Sequence, residues 1–152
     1  MTVSVPIVYL YYIPYLPNGW KVAKVIANKN GELLADLIVG YKEECPNDKV
    51  RLVAHSLGSR VVLSALQSLH DESCGSIVRS VHLMGAAVDD EQVSTNDRLC
   101  LSNIPPLPCS VRAIESTVQT KLYNLKNYED NVLKNYDYNE DYALGLYGSS
   151  GS

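Results

Sequence analysis

The residue best placed to do chemistry is Ser56, in the stretch Ala54-His55-Ser56-Leu57-Gly58. An apolar run, Val50-Arg51-Leu52-Val53, precedes it, and a helix-like run, Arg60-Val61-Val62-Leu63, follows. A serine on a sharp strand-to-helix turn is held in a strained backbone conformation with its hydroxyl exposed. Small residues two before and two after it let strand and helix approach closely; here they are Ala54 and Gly58. The chemistry would be acyl transfer. Ser56 would be the nucleophile, and the Leu57 N–H, opening the helix, would supply half of an oxyanion hole. The same spacing also allows a plainer role, a serine that caps the following helix.

A serine of this kind needs a base and an acid that orients the base. Asp130, just past a strand-like run ending at Leu125, is the preferred acid. Asp89 and Asp90, just past Val81-His82-Leu83-Met84, are the alternatives, with solvated loop charges as the remaining reading. The histidines are His55, His70 and His82. His55 adjoins Ser56 and should point to the other face of the turn, as a packed or hydrogen-bonded side chain. His70 ends the helix that starts at the elbow, a helix length from Ser56. His82 lies within a strand, on the sheet face or in the core. None follows Asp130 in the chain.

The elements that must position these groups can be read from periodicity. Val3 to Ile13 is β-branched and aromatic and reads as a strand, ended by Pro14, Pro17, Asn18 and Gly19. Apolar residues at helical spacing predict a helix from about Trp20 to Glu44, with a break or kink at Asn30-Gly31. Pro46-Asn47-Asp48 is a turn. Val50 to His55 is a short buried strand, and Ser59 to Leu69 is a helix that buries Val61, Val62, Ala65, Leu66 and Leu69. Ile77 to Met84 is the next strand, stopped at Gly85-Ala86-Ala87. Residues 89–109 read as loop. Val111 to Ser116 is a short helix, Val118 to Leu125 a strand, and Tyr142 to Leu146 one helical turn. Strands alternating with helices imply an α/β fold with a parallel sheet. Ligands gather at the carboxyl edge of such sheets, where Ser56, Gly85 to Asp89 and Asn127 to Asp130 all fall.

A resemblance accompanies these motifs. Gly19-Trp20 through Leu66, with Ile26-Ala27, Asn30-Gly31, Leu34-Ala35 and the elbow, resembles lipase/esterase-type α/β-hydrolases of archaea and bacteria. So do Leu83-Met84-Gly85-Ala86-Ala87, Tyr123-Asn124 with Glu129-Asp130-Asn131-Val132-Leu133, and Ala143-Leu144-Gly145-Leu146-Tyr147-Gly148. The resemblance covers most of the chain, and the elbow is its most specific part. It implies a three-layer α/β-hydrolase-like sandwich with a mainly parallel sheet of about four strands, truncated at both ends. The order Ser, Asp, His is the one expected of that fold. The oxyanion-loop strand would lie upstream of Met1, and the catalytic His downstream of Ser152. By position, Ser56, Leu57 and Asp130 are carried over.

Composition narrows the classes. With 152 residues, the chain suits one domain, expected over 1–148 with a flexible tail at 149–152. Hydrophobic residues make up 46% and charged residues 20%, which argues against a disordered chain. The net charge of −4 and the lack of a basic stripe leave no footprint for nucleic acid. Val3 to Leu16 is too short to span a bilayer, so no membrane span is expected. Eleven Tyr and no Phe give either a semi-polar surface or mere compositional drift. Cys45, Cys74, Cys100 and Cys109 have no metal-binding spacing; Cys100 and Cys109 can bridge across a Pro-rich loop, or all four are thiols of a cytoplasmic protein. No cofactor or metal is expected. Three readings remain open: a serine hydrolase of small carboxylic esters, a non-catalytic module of the same fold, and a fragment that pairs through an exposed sheet edge into a homo-oligomer.

Overall fold

The computed structural model describes residues 17–89, 110–135 and 143–148. The expected strand Val3 to Ile13, most of the 89–109 loop with Asp90, Cys100 and Cys109, and the tail at 149–152 lie outside them.

Helix α1 (Pro17–Glu44) runs for 28 residues without the break expected at Asn30-Gly31. Contact with helix α2 (Gly58–Asp71) explains the difference. Gly31 is buried there, and a Cβ placed on it would stand 2.6 Å from Ser64 Oγ and 2.7 Å from the Val61 carbonyl oxygen. Beside it, Ser64 Oγ donates to the Asn28 carbonyl at 2.8 Å. The glycine therefore serves helix packing. Its propensity cost, about 1 kcal/mol relative to alanine, is offset by the close approach of the two helices.

After α1 the chain turns tightly. Lys42 Nζ donates to the carbonyls of Pro46 and Asp48, at 2.5 and 2.7 Å. The Tyr41 hydroxyl donates to Asp48 Oδ2, and that hydrogen bond pushes the phenol up to about 12. The turn delivers strand β1 (Val50–His55), which leads into α2. Strand β2 (Val78–Met84), helix α3 (Ser110–Thr117) and strand β3 (Leu122–Leu125) follow. A short 3-10 turn at Leu133–Asn135 and helix α4 (Leu144–Tyr147) complete the described elements. The last strand is shorter than expected; Val118 forms only an isolated parallel bridge to Val78.

The three strands form one parallel sheet in the order β1-β2-β3. The fold is thus α/β. Helix α2 packs on β1, and α1 and α3 pack on α2. Ala54, Val81 and Leu83 meet Leu63, Leu66 and Leu69 in the core, all of them buried. Each of those leucines contributes roughly 1.5–3 kcal/mol by leaving water. Alternation along the strands sends Val53, His82 and Tyr123 to the opposite face, in one cross-strand row. That face is open among the described residues: Val53 is 65% and Leu125 55% exposed. No helix among the described residues is long and apolar enough to cross a membrane.

Candidate functional site

Ser56 stands on the turn between β1 and α2 with φ +52°, in the left-handed region that side chains other than glycine rarely adopt. Ser73, the other non-glycine residue with positive φ among the described residues, has an ordinary reason. It follows the C-cap of α2, where the Ser73 N–H donates to the His70 carbonyl and the Cys74 N–H to that of Leu69. This is the left-handed stop common at helix ends. Ser56 begins a helix instead, so its strain belongs to the turn.

Backbone contacts on both sides hold that conformation. The Ser56 N–H donates to the Met84 carbonyl at 3.0 Å, and the Ser56 carbonyl accepts from the N–H groups of Ser59 and Ala87. Two of these bonds reach the end of β2, so the neighbouring strand fixes the turn. Ala54 is the nearest neighbour to a Cβ placed on Gly58, at 3.8 Å. The two small positions read from the sequence therefore face each other where strand and helix converge. Leu57, the N-cap residue of α2, has helical dihedrals, and its N–H donates to no group among the described residues. It remains available to a ligand oxygen at the helix N-terminus, where the dipole favours negative charge.

Asp130 lies beyond β3. Its Oδ1 accepts from the N–H groups of Val132 and Leu133, at 2.9 and 3.0 Å. One carboxylate oxygen is thus spent on ordering the 3-10 turn. The other, Oδ2, lies 3.6 Å from the point where a side chain on Gly85 would begin. Gly85 ends β2 with φ +51°, between the Ser56 turn and the Asp130 loop. Asp89, the alternative acid, is committed elsewhere: Arg60, almost wholly buried in the first turn of α2, donates to Asp89 Oδ2 at 3.1 Å.

The histidines separate. His70 Nδ1 is 2.7 Å from Ser116 Oγ, joining α2 to α3. His82 stacks on Tyr123, with ring centroids 4.8 Å apart, and its Nε2 is 3.2 Å from Ser80 Oγ. Neither ring reaches Ser56. His55 departs from the sequence reading, which made it a packed or hydrogen-bonded side chain. It is exposed, and its Nε2 lies 3.8 Å from the same Gly85 position that Asp130 Oδ2 approaches. Among the described residues, no histidine nitrogen is hydrogen-bonded to Ser56 Oγ. Nor is any group of three or more His, Cys, Asp or Glu placed to hold a metal ion.

Two glycines, Gly85 read from the sequence as a strand stop and Gly145 as part of a helical turn, shape this edge. Gly85 leaves space between His55 and Asp130. Gly145 lets α4 cross directly over the end of β2: a Cβ on it would come within 2.7 Å of Gly85 Cα and closer still to the Ala86 N–H. Its own N–H donates to the Ala86 carbonyl, and its carbonyl accepts from Asn127. Gly145 therefore ties the strand end behind Ser56 to the loop that carries Asp130. The available signal was position, since glycines next to the carboxyl edge of a parallel sheet border the site.

No curated protein and no solved structure matches the chain. A family model does match, over residues 1–102, about two-thirds of the chain. The match includes His55, Ser56, Leu57 and Gly85 and stops short of Asp130. Its description is "Protein of unknown function (DUF726)", and the chain belongs to that family.

Proposed function

We propose that this chain carries the nucleophile and the acid of a serine hydrolase of the α/β-hydrolase type, acting on small carboxylic esters. The observation that carries the proposal is the φ of +52° at Ser56, on a strand-to-helix turn followed by a free Leu57 N–H. In this reading Ser56 Oγ attacks the acyl carbon and the carbonyl oxygen takes up negative charge. The Leu57 N–H stabilises that charge, the base passes the Ser56 proton to the departing alkoxide so that the alcohol leaves, and water then cleaves the acyl-enzyme to the acid and free Ser56. Asp130 Oδ2 would orient the base, an imidazole other than those of His55, His70 and His82. The open face of the sheet is where a second helical layer of a three-layer sandwich would sit. The test is hydrolysis of short-chain p-nitrophenyl esters by the folded chain, with imidazole added in place of the base and its own rate subtracted. Release of p-nitrophenol that disappears in Ser56→Ala is expected. Equal rates in the two proteins would remove Ser56 from the chemistry.

A second reading is a non-catalytic module of the same fold. It is favoured by one observation, the lack of a histidine hydrogen-bonded to Ser56 Oγ among the described residues. A serine without a base is a weak nucleophile. This reading expects no turnover in a chain whose circular dichroism shows it folded.

A further inference from the structure

Three groups meet at the carboxyl end of β2, and the chemistry proposed above uses only one of them. Asp130 Oδ2 and His55 Nε2 stand 3.6 and 3.8 Å from the position of a Gly85 side chain, and Gly85 has none. His55 closes β1, directly before Ser56. Asp130 is held through Oδ1 by two backbone N–H groups, so its Oδ2 can turn only within a narrow arc. We infer that His55 is a positioning residue for Asp130: its Nε2–H, through one water in the space over Gly85, holds Oδ2 toward the edge where Ser56 stands.

The physical case rests on what each group lacks. A carboxylate accepts at both oxygens, and only Oδ1 is satisfied by the loop. The imidazole ring nitrogens have no partner among the described residues, unlike those of His70 and His82. A bridging water makes nearly as good a link as a direct hydrogen bond. A side chain at position 85 would fill the shared space, and φ +51° there already disfavours one. His55 touches no substrate in this scheme; it acts through Asp130, and to that extent the inference rests on the hydrolase reading.

Two readouts test it. The first needs no activity: the ring-proton resonances of His55 in the folded chain, identified by their loss in His55→Gln. Asp130→Asn keeps an oxygen for Val132 and Leu133 but removes the charge. It should shift the His55 resonances and leave those of His70 and His82 in place. His55 resonances that do not move would overturn the pair. The second is the rate of ester hydrolysis. His55→Ala should slow it by up to about a hundredfold, as misplacement of a catalytic group does. His55→Gln, which keeps an N–H donor, should recover most of that loss, and His55→Ala should add nothing to Asp130→Asn. Additive losses, or no recovery in His55→Gln, would count against positioning. If wild type hydrolyses no ester, the hydrolase reading fails and the resonances still decide whether His55 and Asp130 are paired.

Discussion

Ser56 is bound by two opposing demands. Its left-handed backbone costs about 1–2 kcal/mol in a residue with a Cβ, yet three backbone hydrogen bonds hold it there. Glycine meets no such penalty. Ser56→Gly should therefore be more stable than Ser56→Ala by about 1 kcal/mol, as read by urea denaturation. Equal stabilities would mean that the turn relaxes when the hydroxyl is removed and that its strain is not intrinsic. At this scale the sequence was partly legible. Ser56 could be singled out because the small residues at 54 and 58 and the flanking runs leave few other structures for that stretch. The neighbourhood of His55 was hidden. Adjacency in the chain suggested that it points away from the site, whereas the space over Gly85 brings it beside a carboxylate 75 positions later.

Elements fix the site through close backbone approaches that only glycine permits. Gly31→Ala should gain about 1 kcal/mol in helix propensity. It should lose more than that, because its Cβ meets Ser64 and the Val61 carbonyl, and overpacking costs about 1–3 kcal/mol. A net fall in the urea midpoint is expected, with the Ser64–Asn28 hydrogen bond strained as well. A rise would show that α1 and α2 separate without cost. Gly145→Ala goes further, because the atoms in its way are backbone atoms of Gly85 and Ala86, which cannot rotate aside. Its melting temperature should fall by several degrees, a shift expected for about 1 kcal/mol or more in a domain of this size. Ester hydrolysis should fall with it, because the Ala87 N–H that supports Ser56 lies on the displaced strand end. The break expected at Asn30-Gly31 failed for a reason that periodicity cannot supply. A glycine inside a helical pattern reads as a break until its neighbour across the interface is known. β3 is also shorter than expected: residues 118–121 hydrogen-bond to β2 at Val78, Arg79 and Val81 but join the regular ladder only from Leu122.

For the whole molecule, the alternation of helix and strand was enough to give an α/β fold with a parallel sheet, because buried parallel strands and amphipathic helices leave different periods in the chain. It was not enough to count layers. Helices pack against one face of the sheet, while Val53, Tyr123 and Leu125 remain exposed on the other. The carboxyl edge was legible as an address, and it gathers Ser56, Leu57, Gly85, His55 and Asp130 there as that rule predicts. The order of atoms at that address was not legible. The orientation of Asp130, with one oxygen bound by the loop and the other turned to Gly85, depends on backbone geometry across three strands. The central claim is that this geometry makes Ser56 a nucleophile. It is tested most directly by treating the folded chain with a fluorophosphonate and mapping the adduct by mass spectrometry. One adduct on Ser56, lost in Ser56→Ala and in heat-unfolded protein, is predicted. A folded wild-type chain that takes up no label on Ser56 would contradict it.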